Sequence, residues 1–475
     1  MTTDFKNLDG SEKYADPYTT LEYEAYRQTY ELPDWKDGER LLKRTPPRDY
    51  GTDRLADKHI YFDAGVMERE YDKIWSKVWL LAGHMNDLPR QNCFMKFDVG
   101  YESFLIVRGE GDQLHAMYNS CRHRGTELVE QDFGSTKKFV CPFHKWEFAS
   151  DGSLLKIQDR ETFRAEALCH DLNLKKVRVE AWRGWIFISM DTEAEPLEEF
   201  LGAEFMDSVA SYDFEGAVRI RDVVQEWPAN WKVAHEAFNE GYHVQATHPQ
   251  LIPANNAYHC VHNLYGNGHA LSIYQNMLPS PHVMNDIPSD GISDEQKIFL
   301  REAGIKEEDF PKNRDDVPMA VIKGKRAKTG GIDYARFTNS QLIDSWGIGL
   351  FPCTEGFLLP EGYFLQSWHP HPTDPEKCIY KTQVYAVTGA GELPSYMAVE
   401  GVDLSGKTVL PRTHAEKGDI DIVGPVIGQD VVLIPRVQRR MRSRGYDGAI
   451  LSEQEIRIRD FYDEYNRLMN GPDRQ

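Results

Sequence analysis

The sequence predicts an α+β protein in which a small all-β module stands ahead of a larger mixed domain. Three observations lead there. Between residues 93 and about 190 the apolar residues come in short, strand-length runs separated by glycine and aspartate turns. Helical spacing flanks that stretch at 63–78 and returns at 423–444 and 453–470. A longer strand-rich region runs from 348 to 387.

Length and composition bound the rest. The chain has 475 residues, room for two large domains or about three ordinary ones. It is 41% hydrophobic and 27% charged, the balance of a globular protein with a sizeable core. The net charge of −20 argues against broad, non-specific binding to nucleic acid, which needs a positive field. The start, MTTDFKNLDGSEKY, has no apolar leader core, and no run approaches the ~18–20 apolar residues of a membrane span. Seven scattered cysteines do not read as a disulfide framework, so a reducing cytoplasm is the expected compartment.

In chain order, residues 1–60 are polar and rich in tyrosine and charge, and read as an N-terminal arm. Residues 61–190 form the β module. It opens with one helix whose stripe is Val66, Met67, Tyr71, Ile74 and Trp75. A hairpin follows, 104–107 and 114–118 about Gly109-Glu110-Gly111-Asp112, with further strands at 138–140, 154–157 and 184–189. Residues 191–475 form the mixed domain, with strands at 218–224 and 269–274. The charged, glycine-bearing stretch 312–331 reads as a mobile loop or insertion.

Two constellations carry chemistry. Cys121-x-His123 and Cys141-x-x-His144 are two chelating arms on separate loops. Two thiolates and two imidazoles suit tetrahedral zinc. They also suit a Rieske [2Fe–2S] centre, in which one iron takes two cysteines and the other two histidines, and spacing alone does not decide between the two. The second constellation lies in Asn230-Trp231-Lys232…His235-Glu236-Ala237-Phe238-Asn239-Glu240-Gly241-Tyr242-His243…His248-Pro249. Glu236, Glu240 and His243 stand at i, i+4 and i+7, one face of a continuous helix, and that helix must bend or end before His248. Two imidazoles and one carboxylate make a site that leaves iron positions open for oxygen and substrate.

The surrounding residues resemble a known family. Cys121-Arg122-His123-Arg124-Gly125 and Cys141-Pro142-Phe143-His144-Lys145-Trp146, closed by Asp151-Gly152, resemble the Rieske signature C-x-H-R-G…C-P-x-H-x-W…G. Residues 230–249 are similar to the catalytic motif of Rieske non-haem iron aromatic ring-hydroxylating oxygenases, in their α (terminal oxygenase) subunit. The resemblance covers roughly residues 60–470. Three departures stand out. Lys145 replaces the usual glycine, Ala237 an asparagine, and Glu240 the commoner aspartate, although some alkylamine- and choline-type members also use glutamate.

The resemblance implies an all-β Rieske domain and a catalytic domain with a curved antiparallel sheet and helices, of helix-grip type. It implies a [2Fe–2S] cluster on Cys121, His123, Cys141 and His144. It further implies a mononuclear Fe(II) on His243, His248 and a late aspartate. Gly428-Gln429-Asp430 fits the pattern for that ligand, with Asp421 as the competitor and Asp419 behind it. Glu240 would accept a hydrogen bond from the His243 ring N–H with one oxygen and one from His144 of the adjacent subunit with the other, in a homotrimer with or without β subunits. The implied activity is hydroxylation or oxidative demethylation of a small, aromatic or largely apolar substrate with O2. The chain lacks a dinucleotide fingerprint, so a ferredoxin or flavin reductase must supply electrons. The cluster Arg436, Arg439, Arg440, Arg442 and Arg444 is either a solvated, internally paired helix face or a docking patch for an acidic ferredoxin. Two rival readings are a Rieske electron-transfer or ligand-binding protein without oxygenase activity and a zinc-stabilised interaction protein.

Overall fold

A computed structural model describes residues 57–277, 279–280, 290–387, 394, 409–416 and 424–471, with short strands at 5–6, 12–14 and 54–55. The arm read at 1–60 and the competing aspartates 419 and 421 therefore lie almost wholly outside the described residues.

The first helix, α1 (Ala64–Glu70), starts where the Asp63 side chain accepts the Val66 N–H, and continues as a π turn over Tyr71–Trp75. Its stripe is buried except for the half-buried Met67, with Ile74 and Trp75 fully enclosed. Strand β1 (Leu80–His84) leads into the hairpin series β2 (Cys93–Val99), β3 (Glu102–Arg108) and β4 (Leu114–Tyr118). With β5 (Phe133–Ser135) they form an antiparallel sheet in the order β4-β3-β2-β5. A three-stranded sheet follows from β6 (Lys138–Val140), β7 (Glu147–Ala149) and β8 (Leu154–Lys156). Strands β9 (Arg178–Trp182) and β10 (Trp185–Ser189) return to pair with β1. The β module is thus as the sequence predicts.

The mixed domain is built on an eight-stranded sheet. Its strands are β11 (Ala217–Trp227), β12 (Asn255–Leu264), β13 (Ala270–Asn276), β14 (Ser345–Leu350), β15 (Thr354–Leu359), β16 (Gly362–Pro370), β17 (Cys378–Val387) and β18 (Thr413–Ala415). The order is β12-β13-β14-β15-β16-β17-β11-β18, antiparallel except where β18 runs parallel to β11. Bulges at Arg219/Arg221 and within 256–261 bend the outer strands. The sheet grips two helices, α2 (Trp231–Phe238) and the C-terminal Ile456–Met469. Phe461 of the latter meets Trp231, His235 and Phe351, and Phe238 stacks on Trp368 at 4.9 Å.

One expectation fails. Residues 312–331 are not a loop: Val317–Ala327 is a helix with Val317, Val321 and Ile322 buried. The flanking charges and glycines masked a short i, i+4, i+5 stripe. Gly324 permits the close approach, since a Cβ there would lie 2.8 Å from the Ala303 carbonyl oxygen.

The two domains share one continuous core, which includes the fully buried Trp75, Trp79, Trp185, Trp227, Trp231 and Trp368. Each such side chain contributes on the order of 2–3 kcal/mol by burial. A polar clasp closes the seam. The Phe133 ring of the β module packs against the guanidinium groups of Arg219 and Arg412, at 4.5 and 5.3 Å. Arg219 also binds Asp87 at 2.8 Å, and Arg412 binds Asp132 at 3.0 Å.

Candidate functional site

The four residues of the first constellation come together at the tip of two matched loops. Both loops close with the same bonds. The Gly125 N–H donates to the Cys121 carbonyl at 2.9 Å, and the Lys145 N–H to the Cys141 carbonyl at 3.0 Å. The Cys121 N–H reaches Thr126, and the Cys141 N–H reaches Trp146. Both turn residues are left-handed, with φ +75° at Gly125 and +57° at Lys145. This explains the family's glycine at 145; a lysine there carries about 1–2 kcal/mol of backbone strain.

The cysteines sit inside and the histidines at the rim. Cys121 and Cys141 are buried in the module's own core with Phe139, Trp146 and Phe148. His123 and His144 are half-buried, their Nδ1 atoms 3.1 Å apart. Trp146 stacks on His123 at 5.0 Å, and Phe143, more than half exposed, covers His144 at 3.8 Å. Burial pushes the Cys121 thiol up, while the backbone N–H groups of His123 and Arg124 pull it down. Burial lowers His123, helped by the facing His144 and Arg124. Two buried cysteines, with backbone N–H groups directed at the Cys121 sulfur, and two imidazoles at the rim are the donor set that would hold a Rieske cluster.

The second constellation is built by a helix that stops. Asn230 caps α2, its side chain accepting the Lys232 N–H at 3.0 Å. The helix ends at Phe238, so the continuous helical face expected for Glu236, Glu240 and His243 does not exist. Glu236 instead accepts hydrogen bonds from Tyr61 and Tyr462, and burial pushes its carboxyl up to about 7. After a turn at 239–243, a single turn of helix, α3 (Val244–Thr247), delivers His248. Gly241 lets this turn press on the sheet, because a Cβ there would lie 2.8 Å from Tyr274.

Asp430 arrives on α4 (Pro425–Met441), near its start as expected. Its Oδ1 lies 3.7 Å from His243 Nε2 and 3.3 Å from His248 Nε2. One donor atom from each of the three residues falls within 4.8 Å of the others. Both remote ring nitrogens are committed elsewhere. His243 Nδ1 lies 2.8 Å from Glu240 Oε1, and His248 Nδ1 lies 2.7 Å from Gln429 Oε1. Such partners orient metal-binding imidazoles. Burial opposes the His243 cation, but Glu240 and Asp430 outweigh it and raise the group. Three convergent donors of this type fit a divalent iron. The second Glu240 oxygen, expected to face His144 of an adjacent subunit, accepts the His243 backbone N–H at 3.0 Å within the chain.

Sequence reasoning missed the supports. Lys232 and Trp231 of the Asn-Trp-Lys motif both donate to Glu70 of α1, wholly inside the core, and Tyr465 joins them. Gln438 accepts the Asn230 N–H at 2.8 Å and so ties α4 to the start of α2. The motif residues were visible; their partners, far away in sequence, were not. Of the arginine cluster, Arg442 is paired with Glu376, while Arg436, Arg439, Arg440 and Arg444 are exposed. Among the described residues, no helix is long and apolar enough to cross a membrane.

Comparisons with known proteins agree with this geometry. Residues 78–174 match the Rieske [2Fe-2S] domain, and residues 214–471 match the ring hydroxylating alpha subunit (catalytic domain). The chain is 32% identical to the anthranilate 1,2-dioxygenase large subunit of Acinetobacter baylyi over 46% of its own length and 48% of that protein. It is 34% identical to the glycine betaine monooxygenase oxygenase subunit of Pseudomonas aeruginosa over 41% of its length and 44% of that protein. The alignments thus span about half the length of these curated relatives. In fold it is similar to a quaternary ammonium Rieske monooxygenase (TM-score 0.61, 21% identity, 91% of this chain and 100% of the other). Naphthalene 1,2-dioxygenase from Rhodococcus sp. gives a TM-score of 0.61 at 19% identity, over 89% of this chain and 97% of the other. With the catalytic-domain match covering more than half of the sequence behind a Rieske module, the chain belongs to the ring-hydroxylating alpha-subunit family, whose cofactors are a Rieske [2Fe–2S] cluster and a mononuclear iron.

Proposed function

We propose that this protein is the terminal oxygenase component of a Rieske non-haem iron system. It would hydroxylate or oxidatively demethylate a small organic substrate with O2. The observation that carries the reading is the convergence of His243, His248 and Asp430, each imidazole braced from behind by its own acceptor. When bound, the cluster supplies stored electrons and the mononuclear iron supplies O2 activation. Cys121, Cys141, His123 and His144 would hold the cluster, and the triad would hold the iron. The residues do the rest. Trp146 and Phe163 pack on His123, and Phe143 on His144, and so orient the cluster histidines. Glu240 fixes His243 through both the ring and the backbone N–H.

The same reading divides the chain at 61–190 and 191–475. A carboxylate oxygen carries two lone pairs, so Glu240 can still accept from His144 of a second copy in a homotrimer. The partly exposed His144 edge supports that route. The exposed arginines of α4 are the face assigned to an acidic ferredoxin or reductase.

An aromatic or largely apolar substrate is the first reading, supported by the anthranilate and biphenyl dioxygenase relatives. Glu240 in place of aspartate, with the glycine betaine and carnitine monooxygenase relatives, favours a second: demethylation of a quaternary ammonium compound. The test is oxygen uptake with product mass spectrometry across aromatic acids, arenes and quaternary amines, using a surrogate reductase. Substrate-dependent uptake with an oxygenated or demethylated product is expected. Reduction of the cluster without oxygen consumption on any substrate would favour the electron-carrier alternative.

A further inference from the structure

The support behind His248 differs in kind from the one behind His243. His243 faces a carboxylate, which can only accept. His248 faces an amide, which has an accepting and a donating end. Gln429 Oε1 lies 2.7 Å from His248 Nδ1 and 2.8 Å from Gln250 Nε2. Gln429 Nε2 in turn faces Gln250 Oε1 at 3.5 Å. The two side-chain amides pair head to tail at the rim of the site, and Gln250 is solvent-exposed.

The direction of this pair decides what His248 can do. With oxygen toward the ring, Nδ1 carries the proton and Nε2 presents a lone pair beside Asp430. With both amides turned over, Nδ1 would accept instead. The proton would move to Nε2, 3.3 Å from Asp430 Oδ1, and the ring could not ligate. We propose that Gln429 is a positioning residue that fixes the ligating tautomer of His248, and that Gln250 holds the Gln429 amide in that sense. The arrangement is economical in chain terms. Gln429 immediately precedes Asp430, and Gln250 follows His248 by two residues. Each of the two segments therefore contributes one donor and one setter. This inference rests on the metal reading of the triad.

The experiment is calorimetric titration with Co(II) of protein stripped of mononuclear metal by mild chelation, with the visible Rieske absorption as the fold check. Wild type should bind Co(II) at one strong site. Gln429→Leu should bind roughly 10–100-fold more weakly, the usual cost of losing such a partner. Gln429→Glu should restore wild-type affinity or better, because a carboxylate has no donating end. Gln250→Leu should weaken binding by less than Gln429→Leu does. Gln429→Leu equal to wild type, or Gln429→Glu as weak as Gln429→Leu, would overturn the assignment while leaving the metal reading intact. Gln250→Leu equal to wild type would overturn the part given to Gln250. Wild-type protein without any strong Co(II) site would overturn the metal reading, and this inference with it.

Discussion

The two sites are assembled on opposite plans. The cluster loops draw four candidate ligands from one stretch, 121–144, and each loop closes on its own backbone. Their cysteines rest in a core separate from the main one. The triad takes its two histidines from either end of α3, just after α2, and its aspartate from α4, nearly two hundred residues later. The two segments meet directly through side chains, Gln429 with His248 and Gln250, and their spacing further depends on Gln438 reaching Asn230 and on Glu70 anchoring Lys232 and Trp231. A site closed by its own turns should survive damage elsewhere, whereas one set by long-range packing should not.

The largest expected effect tests the first half of that contrast. Cys141→Ala should abolish the visible Rieske absorption while leaving Co(II) binding at the triad. Loss of both together, in protein that stays folded by circular dichroism, would mean the sites are not independent. Next, Glu70→Gln removes the charge opposite a fully buried lysine. Breaking one partner of such a pair costs about 3–5 kcal/mol. Chemical denaturation should show that loss, and mononuclear metal occupancy should fall before cluster absorption does. Equal sensitivity of the two sites would break the comparison.

Legibility followed the same division. The cluster ligands could be read because chelating pairs with two and one intervening residues are short-range signals, and because Gly125 and Pro142 mark the loops. His243 and His248 could be read as a candidate pair from their own segment, but Asp430 only by resemblance, since a lone aspartate on a helix is indistinguishable from a cap. Glu236 was misplaced for a physical reason: helical spacing assumes a continuous helix, and α2 ends at Phe238. The stretch 312–331 was misread because charge and glycine outweighed three apolar positions that only tertiary burial makes decisive.

Glu236 gives a smaller, pH-dependent effect. Its carboxyl is raised above the ordinary glutamate range to about 7, chiefly by burial. The folded state therefore binds the proton more tightly than the unfolded chain does. That contribution is fully present below the unfolded value of ~4.3 and is lost as pH rises through about 7. Glu236→Gln should accordingly gain stability relative to wild type between those limits, read from denaturation midpoints across pH. A parallel pair of curves would contradict it. The smallest effect concerns the exposed end of α4. Charge reversal at Arg439 and Arg440 should slow reduction by an acidic ferredoxin at low salt and leave reduction by dithionite unchanged, because steering is screened beyond a Debye length of ~8 Å. Equal rates for variant and wild type with the ferredoxin would remove this face from electron-donor docking.

The central claim is that His243, His248 and Asp430 hold a metal distinct from the cluster. Asp430→Ala tests it most directly, by iron analysis alongside the visible spectrum. The account predicts an unchanged Rieske absorption, iron falling from about three to about two per chain, and no turnover. A full iron complement with turnover retained would contradict it and place the carboxylate ligand elsewhere.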